Sequence, residues 1–179
     1  MEHSTLELQI EIPAERFVLR PPKLSDVGPL DMHLGDERVA KMTREFAHPL
    51  PPGATESYIS RSLDAKHPED VWVMDGSSTG MGEVLGAVGL ERMDRGQAEI
   101  AFWVVPCLWG TGIATEAVKA ILAANPLACD TVFAAVFQDN PASAKMLTNL
   151  DFLYLGDAEY HSVARGAQVL TWTYVKKMK

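Results

Sequence analysis

Six consecutive residues, Trp109-Gly110-Thr111-Gly112-Ile113-Ala114, put two glycines where a strand gives way to a helix. Upstream, Glu99-Ile100-Ala101-Phe102-Trp103-Val104-Val105 has the aromatic and β-branched content of a strand. Downstream, Ile113, Ala117, Ile121 and Ala124 recur at the spacing of one apolar helix face. The first turn of a helix leaves backbone N–H groups without partners, and the macrodipole adds positive charge there. Glycine lets a phosphate approach that backbone closely, so the junction can hold an anion. It serves equally as a helix start that needs glycine for its turn and nothing more. Two phosphate signatures do not match. A P-loop requires a lysine that is absent, and the dinucleotide fingerprint wants glycine at position 115, where Thr115 stands.

The elements that position this junction follow in order. Arg16-Phe17-Val18-Leu19-Arg20 alternates enough for a first strand, ended by Pro21-Pro22. Ser25-Asp26 reads as a helix cap, with Leu30, Leu34 and Val39 on one face. A second helix is predicted from Thr55-Glu56, beyond Pro51-Pro52-Gly53, carrying Tyr58, Ile59 and Leu63. Residues 71–74, 84–90 and 99–105 read as strands, joined by a loop at 75–80 and a turn at Asp94-Arg95-Gly96. Connections this short imply an antiparallel meander, which also counts against a dinucleotide fold. Gly86 and Gly89 mark a bulge or a close backbone approach. After the break at Asn125-Pro126, residues 131–137 are apolar enough for a strand buried on both faces. Asn140-Pro141 opens another helix, asparagine at the cap and proline at N1, with Ala144, Leu147 and Leu150 as its buried stripe. Residues 168–175 alternate as a final strand. Residues 1–179 are expected to form a single mixed α+β domain.

Composition narrows the partners. A chain of 179 residues suffices for one well-filled core and is short for two. The net charge of −8 argues against nucleic acid and suits a cationic partner such as an amine. Cys107 and Cys129 make neither a disulfide framework nor a metal spacing, so no metal is expected and a reducing, cytoplasmic location is the default. Met1-Glu2-His3-Ser4-Thr5 lacks the basic and apolar regions of a signal peptide. No apolar run is long enough to span a bilayer, so no membrane partner is expected.

Gly110-Thr111-Gly112-Ile113-Ala114 resembles the acetyl-CoA pyrophosphate loop of the GNAT superfamily of N-acetyltransferases, usually Gln/Arg-x-x-Gly-x-Gly/Ala. Thr115-Glu116-Ala117 resembles the triplet that often follows it, and Trp109 stands where glutamine or arginine is common. A second motif supports the first. Asn140-Pro141-Ala142-Ser143 resembles the family's Asn-x-x-Ser helix start, and Leu150-Asp151-Phe152 falls where Leu-Gly-Phe is expected. Pro106-Cys107-Leu108-Trp109-Gly110 looks like the branch that acetylates protein N-termini, including the alanine and serine termini of ribosomal proteins.

The resemblance implies a largely antiparallel twisted sheet, flanked by helices, whose central strands 99–105 and 132–137 splay apart. The pantetheine arm of acetyl-CoA would lie in the opening, hydrogen-bonded to Trp103, Val104 and Val105. Its pyrophosphate would sit on the N–H groups of Gly110, Thr111, Gly112, Ile113, Ala114 and Thr115, and Asn140 would contact the arm from the other side. A neutral amine then attacks the thioester directly, and a carboxylate or water chain takes its proton. Backbone N–H groups near Val104 are candidates to hold the oxyanion. Many members protonate the leaving thiolate with a tyrosine on the last helix, where this chain has Leu147. In the N-terminal branch the serine matching Ser143 takes that part, and Ser143 also reads as a residue supporting the helix start. Glu99 is the first candidate base, or else a plain strand carboxylate, and Glu116 reads as a first-turn acid favoured by the dipole. Glu159 and His161 lie where the branch sometimes places an acceptor-side base, while Tyr160 and His33 read as packing or solvent-facing residues. Asp151 replaces the usual glycine with a residue that tolerates left-handed geometry. The expected acceptor is a protein or peptide N-terminus, then a small amine (antibiotic, polyamine or amino acid). The rival is a non-catalytic acyl-CoA sensor. Homodimers are frequent in this branch.

Overall fold

The computed structural model describes residues 9–179; the stretch read for a leader lies outside them. Its strands are Ile12–Pro13 (β1), Val18–Arg20 (β2), Glu69–Asp75 (β3), Gly86–Arg92 (β4), Gln97–Val104 (β5), Thr131–Phe137 (β6), Leu153–Ser162 (β7) and Ala167–Lys177 (β8). They form one sheet in the order β1-β2-β3-β4-β5-β6-β8-β7, antiparallel except between β5 and β6. Helices Val27–Leu34 (α1), Glu37–Met42 (α2) and Ala54–Ser62 (α3) cover one face; Ile113–Ala124 (α4) and Pro141–Asn149 (α5) cover the other. Strand alternation divides the core accordingly. In β3, Val71 and Val73 pack under α1–α3, while Trp72 and Met74 pack under α4 and α5. No helix among the described residues is long and apolar enough to cross a membrane.

The meander and both helix starts stand as expected, with four differences. The first helical segment breaks at Gly35-Asp36, so Val39 sits on α2, whose N-terminus the Asp36 side chain caps through Arg38 N–H. The end of α4 unwinds at Asn125, leaving Ala124 exposed while Val118 takes its place in the buried stripe. Strand β6 is fully buried on one face, at Val132, Ala134 and Val136; on the other, Phe133 and Ala135 are half-buried, and Ala135 looks onto a cavity. Strand β7, which no alternation announced, pairs with β8 along a hairpin whose residues are mostly exposed. The tip of that hairpin folds back on the α2–α3 connection. Val163 N–H donates to the Arg44 carbonyl at 3.0 Å, and the Arg165 guanidinium donates to the Lys41 carbonyl at 2.9 Å and 3.1 Å.

Asp26 does not cap α1 with its side chain, because that carboxylate is already engaged. It is wholly buried and receives both Nη atoms of Arg20 at 2.8 Å and 2.9 Å, together with the Lys23 N–H. Arg20 also donates through Nε to Asp75 at 2.7 Å, which fastens β2, β3 and the entry to α1 together. A buried charge that loses its partner is costly, whereas an exposed pair contributes little. Arg20→Leu should therefore lower stability by about 3–5 kcal/mol, read from the shift in urea midpoint at constant m-value. A loss under about 1 kcal/mol would show the cluster to be no stronger than a surface pair.

Candidate active site

The two glycines of the loop both adopt left-handed backbone, with φ of +76° at Gly110 and +82° at Gly112. Gly112 is the N-cap of α4, and no side chain caps that helix. The N–H groups of its first turn thus remain available to an anion. Arg16 braces the loop from the β1–β2 turn. Its Nη1 donates to the Thr111 carbonyl at 3.0 Å, while its backbone N–H and Nε both donate to Glu116 at 2.9 Å. Glu116 is therefore a structural partner of Arg16. Thr111 is structural as well, since its N–H donates to the Leu108 carbonyl at 3.3 Å. Gly110, Gly112, Ile113, Ala114 and Thr115 line a cavity of about 290 Å³ that continues along β5.

That cavity exists because the central strands part. β5 and β6 pair only from Gln97–Thr131 to Ile100–Ala134, yet β5 stays on β4 as far as Val104 and β6 stays on β8 as far as Phe137. A slot opens through the sheet. Val105 N–H donates to the Leu85 carbonyl at 2.9 Å, so alternation turns the N–H and C=O of Phe102 and Val104 toward the slot. The Trp109 indole confirms that direction by donating to the Val104 carbonyl at 2.8 Å. Of the three residues expected to hold pantetheine, Val104 offers its backbone to the opening, Trp103 lines it, and Val105 does not. Across the slot, Asn140 caps α5 by accepting from Ser143 N–H, and its Nδ2 donates to Ser143 Oγ at 3.0 Å. The Ser143 hydroxyl proton is left free to donate elsewhere. Leu147 is fully buried in the core, so no tyrosine-like acid stands on this helix.

On the opposite face of the sheet, under the α2–α3 connection, lies a second cavity of about 220 Å³. Phe102, Trp103, Asn140 and Ser143 line both cavities, so the two meet at the slot. The second cavity is rich in carboxylates: Glu45, Glu69, Glu91 and Glu99 all face it. Glu69, Glu91 and Glu99 are direct cross-strand neighbours on β3, β4 and β5. Glu99 is ion-paired with Arg44, whose guanidinium lies 3.7 Å from the centroid of the Tyr160 ring; Tyr160 thus packs beneath that arginine. Glu69 reaches the cavity across Gly89, where an added Cβ would lie 2.9 Å from its carboxyl group. Gly86 likewise permits the Trp103 carbonyl to approach, so both strand glycines mark close contacts. Burial pushes the Glu69 carboxyl up to about 7, with the Glu45 and Glu91 carboxylates adding to the effect. Burial also raises Glu45. His33 packs toward Trp103 and is held below its ordinary value by burial. Glu159 and His161 lie on β7 and line neither cavity. Asp151 takes the left-handed conformation, φ +65°, that its replacement of glycine demands.

A slot through the sheet thus joins an anion-ready helix start on one face to a carboxylate-lined cavity on the other. The family model described as Acetyltransferase (GNAT) domain matches residues 16–153, and the chain belongs to that family of N-acetyltransferases. No curated protein sequence matches it. Among solved structures it is similar to the ribosomal-protein-S5-alanine acetyltransferase of Vibrio fischeri, at 20% identity and TM-score 0.75, covering 96% of this chain and 98% of that one. It is also similar to the spermidine N-acetyltransferase of Vibrio cholerae in complex with CoA and spermine, at 15% identity and TM-score 0.76, covering 91% and 96%. A ribosomal L7/L12 α-N-protein acetyltransferase in complex with CoA gives 15% identity and TM-score 0.78 over 94% and 98%. At these identities the likeness establishes the fold.

The loop geometry makes one position decisive. Gly112→Glu places a carboxylate and its bulk at the anion-facing helix start, in a backbone conformation glycine favours. It should abolish thermal stabilisation by acetyl-CoA while leaving the far-UV circular dichroism of the apoprotein unchanged. An unaltered acetyl-CoA affinity would refute the loop as the phosphate site.

Proposed function

We propose that the protein moves an acetyl group from acetyl-CoA directly to a primary amine, and that the amine is the N-terminus of a peptide or protein. The observation that carries the reading is the meeting of the two cavities at Trp103, Asn140 and Ser143. Acetyl-CoA supplies the thioester from the α4 face, with its pyrophosphate on the Gly110–Thr115 loop and Asn140 beside its arm. The acceptor enters from the α1–α3 face. The N–H groups of Phe102 and Val104 are oriented to receive the oxyanion. Ser143, its Oγ already accepting from Asn140, donates its proton to the departing sulfur.

Two features favour an N-terminus over an alkyl amine. Trp103 Nε1 is a buried donor without a partner among the described residues. The carbonyl beside an α-amine can accept from it, whereas a protonated polyamine offers no acceptor. The second feature is the base. Glu99, held by its ion pair with Arg44, takes the proton through water, and carboxylates are ordinarily weak bases beside amines. A weak base suffices for an α-amine, whose ordinary pKa of about 7.7–8.0 leaves a sizeable neutral fraction near pH 7.5. For an alkyl amine near 10.4 that fraction is roughly a thousandth. The carboxylates of the acceptor cavity favour a small polycationic amine as the second reading.

A thiol-release assay with acetyl-CoA, run against peptides with alanine or serine N-termini and against spermidine, separates these readings. The expected result is turnover of the peptides, with kcat/KM levelling off near pH 8. Turnover of spermidine alone, rising beyond pH 9, would overturn the N-terminus. Stabilisation by acetyl-CoA with no thiol release from any amine would point to a sensor. Ser143→Ala should lower kcat at least tenfold with little change in acetyl-CoA affinity. Equal losses in both would reduce Ser143 to a binding or capping residue.

A further inference from the structure

The carboxylates of the acceptor cavity are unequally provided for. Arg44 pairs with Glu99, and Arg61 reaches Glu45 at 3.5 Å. Glu69 and Glu91, adjacent across β3 and β4, have no cationic side chain within 4 Å among the described residues. Like charges directly opposite one another in a sheet are destabilising, so this arrangement is costly while the cavity is empty. The cavity carries a second, independent sign of a ligand. Trp103 and Thr171 both line it and are 7% and 1% exposed, yet Trp103 Nε1 and Thr171 Oγ1 have no hydrogen-bond partner. One end of the cavity therefore lacks hydrogen-bonding partners and the other lacks positive charge.

We propose that Glu69 and Glu91 form a subsite for a second cationic group of the acceptor, a lysine or arginine side chain close behind the N-terminal residue that is acetylated. The inference rests on the acceptor reading above. The Glu99 register lies four residues, roughly 13 Å, from Trp103 along β5, and Glu69 stands two strands, roughly 10 Å, to the side, so the second charge sits on the order of 10–16 Å from the Trp103 end of the cavity. A basic residue at the second or third position spans that distance, since each extended residue adds up to about 3.6 Å and the side chain adds its own length. Gly89 belongs to the subsite, because a side chain there would push the Glu69 carboxyl aside.

The proposal includes a pH signature. The groups facing Glu69 are Glu45 and Arg44 from the α2–α3 connection, Arg61 and Tyr58 from α3, Glu91 from β4, Glu99 across the ladder on β5, and His67 just before it. In the empty cavity Glu69 titrates at about 7. A lysine side chain stays charged from pH 6 to 8 and pairs with the deprotonated form, so its contribution to binding grows as pH rises through that window.

The test compares kcat/KM for two peptides that share an N-terminal alanine and differ only in lysine or norleucine at the second position. A diamine and a monoamine of equal length are run alongside. The wild type should prefer the lysine peptide about tenfold, consistent with a hydrogen bond to a charged group, and that ratio should grow from pH 6 to 8. Glu69→Gln should collapse the ratio toward one and flatten its pH dependence; Glu91→Gln, at an exposed position, should reduce it without risk to folding. Equal use of both peptides by the wild type, or a preference that survives both substitutions, overturns the subsite and leaves the N-terminal reading standing. A preference for the diamine that Glu69→Gln abolishes, with both peptides inert, upholds the subsite and overturns the N-terminal reading.

Discussion

β5 and β6 share hydrogen bonds over four residue pairs and then diverge, although each keeps its outer neighbour to the end. The sheet is in effect two half-sheets joined at that short parallel seam. Divergence exposes backbone groups that a continuous sheet would satisfy, and buried groups of this kind require partners. One of them, the Val104 carbonyl, is met by the Trp109 indole. The others face a space into which the N-termini of α4 and α5 also open. Both helices reach that space because each follows directly from the end of one of the diverging strands. The slot, the anion-ready loop and the Asn140–Ser143 pair are thus consequences of a single break in strand pairing.

The glycine loop and the start of α5 were legible in the sequence, and the reason is local. Gly110 and Gly112 need left-handed backbone, and Asn140-Pro141 is a favoured helix start, so each motif carries its geometry within a few residues. On the other face Glu99 was singled out, but the carboxylate cluster it belongs to was not legible. Glu45, Glu69, Glu91 and Glu99 come from a loop and three strands, and only register brings them together. One part of that register could have been found: the tight turn at Asp94-Arg95-Gly96 sets Glu91 opposite Glu99. Glu69 could not, because its alignment on Glu91 depends on the longer connection from residue 76 to 85. β7 escaped notice for a different reason. Its outer face is solvated and its apolar residues, such as Leu153 and Leu155, stand exposed, so no alternation marks the strand.

The charge of the chain acquires a location in the fold. A net −8 spread evenly would act through solubility and weak steering. Four carboxylates lining one cavity act differently, because the charges of Glu45 and Glu91 add to burial in raising the proton affinity of Glu69. The two arginines do not cancel this effect, since both arise from the helical layer and neutralise its near side. Arg44 lies between Glu99 and the Tyr160 ring, and its carbonyl receives Val163 N–H from the β7–β8 tip. One residue therefore ties together the helical layer, the sheet and the terminal hairpin, and it fixes the roof of the cavity.

That coupling separates two roles which the sequence offered to one residue. On the reading proposed above Glu99 takes the amine proton, and its ion pair with Arg44 fixes its place at the seam. Burial raises the proton affinity of Glu69, which stands two strands away, across Gly89. Carboxylates are weak bases beside amines, so the proposed reaction favours an acceptor already partly neutral near pH 7.5 over a fully protonated alkyl amine. An α-amine meets that condition on its own ordinary pKa. In the proposed subsite the remote carboxylates then discriminate among acceptors by the charge that follows the reacting nitrogen.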